Sequence, residues 1–306
     1  MPRPFLRATL LLALLLPGPA LTEPRVAASI PPVHSLVAGV MEGVAVPSLL
    51  VPPTASAHSF SLRPSEARNL AQADLVFWIG PAYETFLEKP LAALAQPAKL
   101  VRLEDAPGLT LLRARGGGAW DAHHDHDHSA KPDDQDVDGH LFLDIDNAKA
   151  MVAAIAAALT AADAGNAQRY RANAEARVAK LDALDAELRT TLAPVQAKPF
   201  VVFHDAYQYF DERYGLNAVG SITVSPERQP GARRLQTLRR KIGTLQAVCV
   251  FAEPQFEPTL LQTVVEGTKA KTGVLDYLGA GVPPGPDAYF TTMRALARAL
   301  TDCLGR

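Results

Sequence analysis

Three histidines stand at breaks in an otherwise regular pattern. His58 lies in "TASAHSFSLRPSE", His140 follows a polar stretch in "DGHLFLD", and His204 closes the apolar run "FVVFH". Neutral imidazole suits zinc and other borderline cations, and three nitrogens with a carboxylate or a water complete a tetrahedral site with an exchangeable position. Taken singly, each histidine reads first as a hydrogen-bonded or capping group at a strand end. Taken together at strand exits, they point to one cation held in a cleft. No finger-type or HExxH spacing is present, so this chemistry rests on position rather than on a local motif. For the fourth ligand there are two candidates: Asp276, in "GVLDYLG" after another apolar run, or a water. Asp205 and Glu253 are placed to cap a helix or to hydrogen-bond a ligand histidine from behind.

A second histidine feature has a different character. In "AHHDHDHSAKPDDQDVDGH", His123, His124, His126 and His128 alternate with Asp125 and Asp127. On extended backbone His124, His126 and His128 fall on one side and can share a cation weakly. Ordering such a loop costs backbone entropy, so its affinity should fall below that of a preformed site. His34, at a helix start after Pro31 and Pro32, reads as structural.

The elements that must position these groups follow an α/β grammar. Short apolar runs such as "RVAASI", "SLLVP", "ADLVFWIG" and "KLVRLE" alternate with helical patterns, which predicts parallel sheets flanked by helices. Residues 113–139 interrupt the alternation as a flexible His/Asp-rich loop. A long helical pattern over residues 161–193 follows, and the alternation then restarts with "FVVFH", "AVGSITV" and "AVCVFAEP". The expected fold is therefore two α/β lobes, residues 21–160 and 194–306, joined by one long rigid helix with the cleft between them.

Residues 1–20 read as a secretory signal peptide: Arg3 and Arg7 precede an apolar core, and Gly18 and Ala20 occupy a cleavage-site pattern. No later stretch reads as apolar enough to span a bilayer. A formal net charge of -2 in 306 residues leaves no basic excess to hold nucleic acid. In an oxidising compartment the two cysteines, Cys249 and Cys303, are expected to form a disulfide; two free buried thiols are the alternative.

The segments "ASAHSFSLRPSEARNLAQADLVFWIGP", "GHLFLD", "FVVFHDAYQYFDERYGL", "FAEPQF" and "VLDYLG" closely resemble, in order, the periplasmic zinc-binding proteins of high-affinity ABC importers, the ZnuA type within the cluster A-I substrate-binding proteins. The resemblance implies a non-enzymatic, monomeric protein that binds Zn2+ between its lobes. Its implied partner is an inner-membrane permease with a cytoplasmic ATPase, with a periplasmic metallochaperone as a further one. His58, His140 and His204 match the family's histidine ligands. Asp276 matches a carboxylate position of the manganese- and iron-binding relatives and of some zinc-binding ones. The cysteine pair matches a disulfide of zinc-type members, and a histidine-rich loop marks the same branch. Two rival functions remain: a manganese or iron importer protein on the same scaffold, and a zinc hydrolase using the open position to activate water.

Overall fold

The structure, a computed structural model, describes residues 23–96, 98–115, 137–223, 231–256 and 259–305. Two four-stranded sheets are present among them. The first contains β1 (Val26–Ala28), β2 (Ser48–Leu49), β3 (Leu75–Trp78) and β4 (Lys99–Arg102) in the order β2-β1-β3-β4. The second contains β5 (Phe200–His204), β6 (Ala218–Thr223), β7 (Cys249–Ala252) and β8 (Lys271–Val274) in the order β6-β5-β7-β8. Every pairing is parallel. The two halves thus share one strand order, although their residues show no repeat. In each, strand order reverses beside the first strand, and a crevice opens there at the carboxyl ends of the strands.

Helices cover both faces, as parallel strands require. The first half carries α1 (Pro31–Val40), α2 (Pro64–Gln72), α3 (Glu88–Leu94) and α4 (Ile145–Ala162). Helix α5 (Ala167–Leu192) connects to the second half, which carries α6 (Gln208–Tyr214), α7 (Ala232–Thr244), α8 (Thr259–Val265) and α9 (Ala288–Leu304). Pro31 and Pro32 occupy the first turn of α1, where their missing N–H groups cost nothing. All ten residues of α1 are buried, because it lies between the first sheet and helices α4, α5 and α9. Helix α4 has the length and composition of a membrane span, contrary to the sequence expectation. Here it is a core helix that packs on α1 and α5 and buries Ile145, Met151, Val152, Ile155 and Leu159.

The connecting helix α5 is 26 residues long. Tyr170, Leu181, Leu184, Leu188 and Leu192 face inward, within one apolar cluster that runs from the first sheet through α1, α4 and α5 to α9 and the near face of the second sheet. Two arginines fasten the halves along this side. Buried Arg177 donates to Pro286 O (2.7 Å), Asp287 Oδ1 (3.0 Å) and Glu42 Oε2 (2.8 Å). It passes so close to Gly39 that a Cβ there would lie 2.3 Å from Arg177 Nε. Arg213, on α6, reaches Asp144 (3.0 Å), Asp146 (2.8 Å) and Asp185 (2.7 Å). Cys249 and Cys303 form the expected disulfide, tying β7 to α9.

Candidate metal centre

Each of the three histidines reaches the cleft from a different local structure. His204 is the last residue of β5, so its side chain emerges at the carboxyl edge of the second sheet, beside the β5/β7 crevice. His140 is set by a compact turn: Arg113 and Val137 form an antiparallel bridge, Asp138 N donates to Leu112 O (2.9 Å), and a 3-10 turn follows at Leu141–Leu143. Gly139 is required within that turn, because a Cβ would stand 2.6 Å from Tyr83 Cβ and 3.0 Å from the Tyr83 backbone. His58 comes from the loop between β2 and α2 and packs its ring on Tyr83, with centroids 4.8 Å apart.

The rings form a nearly equilateral triangle, with centroid separations of 5.2 Å (His58–His140), 5.3 Å (His140–His204) and 5.5 Å (His58–His204). One nitrogen from each lies within 4.8 Å of the other two. Nε2 of His140 and Nε2 of His204 are 3.3 Å apart. Two ligands on a tetrahedral zinc with bonds of about 2.0–2.1 Å are separated by roughly 3.3 Å, so this pair already has the spacing of two coordination positions. Nε2 of His58 is buried without a hydrogen-bond partner among the described residues. Tyr83, Phe142 and Tyr277 line the sides of the triangle, and Phe256 flanks His204.

Two buried carboxylates settle which nitrogens face inward. Asp138 Oδ1 lies 2.7 Å from His140 Nδ1 and also accepts the His140 backbone N–H (3.0 Å). Glu253, directly after β7, places Oε1 2.8 Å from His204 Nδ1. With a carboxylate behind it, each Nδ1 carries the hydrogen and each Nε2 presents a lone pair to the centre. Two lone pairs facing each other at 3.3 Å repel unless a cation or a proton lies between them.

The electrostatics agree. Burial and the neighbouring histidines push His58 and His140 well below the usual histidine range, so both are neutral at neutral pH, the form that can ligate a cation. For His204 burial is the largest single influence and acts in the same direction, but the carboxylates of Glu253, Asp205 and Asp138 together outweigh it and the net shift is upward. A proton on His204 Nε2 can therefore bridge to His140, and a metal ion bound there would displace it. Burial raises Asp138 to about 7 against the opposing pull of the His140 N–H and Arg115.

Other residues singled out by sequence lie elsewhere. Asp276 is outside the group of ligand atoms within 4.8 Å. Its carboxylate accepts from Gly279 N (2.9 Å), Ala280 N (2.6 Å) and Gln255 Nε2 (3.3 Å). Asp205 neither caps a helix nor backs a ligand histidine: α6 starts three residues later with Tyr207 at its cap, and Arg115 Nε lies 3.0 Å from both carboxylate oxygens. His34 is buried on α1 and bonds Pro47 O through Nε2 (3.0 Å). Residues 1–20 and the histidines at 123, 124, 126 and 128 lie outside the described residues. Sequence reasoning missed Asp138, whose only signal is its place two residues before His140, and Arg115, for which there is none.

Residues 26–303 match the profile of the family described as ZnuA, zinc-uptake complex component A, periplasmic. The High-affinity zinc uptake system protein ZnuA of Brucella suis biovar 1 (strain 1330) is 48% identical over 307 aligned positions, which cover 92% of each chain. Its namesake from Yersinia pestis is 37% identical and covers 97% of each. Among solved structures, one described as the crystal structure of ZnuA superposes with a TM-score of 0.77 at 24% identity, over 92% of this chain and 99% of that one. The binding protein FpvC of Pseudomonas aeruginosa in complex with Mn2+ gives 0.77 at 21%, over 93% and 99%; at these identities the likeness concerns the fold. With a family profile spanning nearly the whole described chain and close relatives along its full length, the chain belongs to the ZnuA family of periplasmic zinc-uptake components.

Proposed function

We propose that this protein captures zinc in the periplasm, holds it on Nε2 of His58, His140 and His204, and delivers it to an inner-membrane ABC permease driven by a cytoplasmic ATPase. The observation that carries the reading is the convergence of three buried imidazoles, two of them backed by carboxylates and spaced as coordination positions. An all-nitrogen set of this size favours zinc over hard cations, which take more oxygen ligands. Asp276, engaged with backbone N–H groups, leaves the fourth position to a water or to the receiving transporter, which separates the site from a manganese or iron site built on that carboxylate.

The protein acts as a binding component without catalysis. Both carboxylates nearest the triad stand behind the imidazoles, where neither can act as general base for a water on the open side. It is a monomer, exported by a signal peptide over residues 1–20. The tract at His123, His124, His126 and His128 collects zinc and passes it inward, and a periplasmic metallochaperone is a further donor. Zinc titration by calorimetry on metal-free mature protein, beside His58→Ala and a variant lacking residues 121–138, tests this. One tight event should vanish with His58→Ala and weaker events with the deletion; a tight event that survives His58→Ala would refute the assignment.

A further inference from the structure

The three ligand histidines are not held equally well. His204 belongs to a central strand, and His140 sits in a turn pinned by Asp138 and by Asn147, whose side chain bonds Thr110 N (2.8 Å), Thr110 O (2.9 Å) and Leu141 O (3.1 Å). The loop that carries His58 is held by packing, His58 on Tyr83 and Phe60 on Phe86, and lacks comparable hydrogen-bonded support. Among the described residues, the hydrogen bonds of residues 52–62 stay inside the loop, as in Ala55 N to Pro52 O (3.0 Å) and His58 N to Ser56 Oγ (3.3 Å), with one exception. That exception crosses the cleft: Gln255 Nε2, from the second half, donates to Pro53 O at 3.1 Å.

Gln255 is itself oriented. The same Nε2 donates to Asp276 Oδ1 (3.3 Å), and Asp276 is fixed by the backbone N–H groups of Gly279 and Ala280. A chain of hydrogen bonds thus runs from the turn at 279–280 through Asp276 and Gln255 to the backbone five residues before His58. The arginine fastenings described above lie along α5 and α6, whereas this contact joins the halves at the His58 loop.

We infer that Gln255 is a positioning residue for zinc retention: it latches the His58 loop to the opposite lobe, and Asp276 serves by holding the Gln255 amide. The inference rests on the zinc-site reading above. Without the latch, two imidazoles keep their geometry while the third is held by packing alone, so zinc leaves sooner although the ligand set is complete.

The test uses the full mature protein with Gln255→Met, which keeps length and loses both N–H donors, and Gln255→Glu, which also sets a carboxylate against Asp276. Zinc release into excess chelator should be about fivefold to tenfold faster in both, the scale of one lost hydrogen bond. One zinc per chain and the association rate should be unchanged, and amide exchange should accelerate at residues 54–59 alone. Release and exchange unchanged in both variants overturn the latch. So does faster release accompanied by lost stoichiometry or by deprotection across the whole second half, which marks general damage. His58→Ala, run alongside, separates the two readings: if it leaves tight binding intact the zinc site is misassigned, while exchange at 54–59 still decides whether Gln255 holds the loop.

Discussion

Replacing Glu253 with glutamine removes one charge behind His204 and keeps the shape. The carboxylate lies 2.8 Å from His204 Nδ1, hence about 7 Å through the ring from a zinc on Nε2. At an effective dielectric of about 20, a dication gains roughly 5 kcal/mol from that charge, and a single positive charge about half as much. Below the raised pKa of His204, zinc displaces a proton that Glu253 also stabilises, so the net loss in the variant is the difference, about 2.4 kcal/mol or roughly 50-fold. Removing a partner of this kind typically costs 10–100-fold in metal affinity, the same range. The sign of the pH dependence follows. As pH rises through the His204 pKa the proton competitor disappears, so the parent gains affinity faster than Glu253→Gln. Competition titrations against a fluorescent chelator between pH 6 and 8 should show the parent-to-variant ratio widening with pH. A ratio below threefold, or one that stays flat across that interval, would refute the reasoning.

Gly139→Ala should weaken zinc binding at least about fivefold while leaving far-UV circular dichroism intact: its Cβ, 2.6 Å from Tyr83 Cβ, forces apart the turn that aims His140, at a cost of about 1–3 kcal/mol. Removing the disulfide by Cys249→Ser with Cys303→Ser should lower unfolding stability by about 2–4 kcal/mol in urea titrations, since the bond closes a loop across a sequence separation of 54. Burial raises Glu84 from 4.5 to about 7. The folded state therefore binds this proton more tightly than the unfolded chain, and stability falls as pH rises from about 4.5 through 7. Glu84→Gln should flatten that fall and gain up to about 3 kcal/mol at pH 8 over the parent in metal-free protein, with Asp211, held at about 8, retaining part of the slope; identical slopes would exclude Glu84 as the source.

The α/β grammar was legible because buried parallel strands are short continuous apolar runs, and the candidate positions were legible because His204 ends such a run while His58 and His140 stand at breaks between elements. What a strand exit indicates is an address, and orientation depends on the turn that follows. Asp276 has the right address, yet the turn at 279–280 draws its carboxylate onto N–H groups. Asp205 is adjacent to His204 in sequence, but Arg115, 90 residues earlier, decides its role, and no local pattern announces that pairing. The alanine-rich stretch of α4 shows the same limit from the other side. Composition fits a membrane span or a core helix equally, and only its packing against α1 and α5 separates them.

The backing of two imidazoles by carboxylates, with none behind the third among the described residues, also bears on the valence of the ion that suits the site. Three neutral rings contribute no charge, so the favourable field at the centre comes from the carboxylates behind two of them, and a cation in front of the His140 ring favours the ionised form of Asp138. A divalent ion draws about twice the Coulomb energy from that field that a monovalent ion does, in surroundings of apolar rings where bare charge is poorly solvated. Charge thus favours divalent ions over the abundant sodium and potassium, and size and ligand softness choose among the divalent ones.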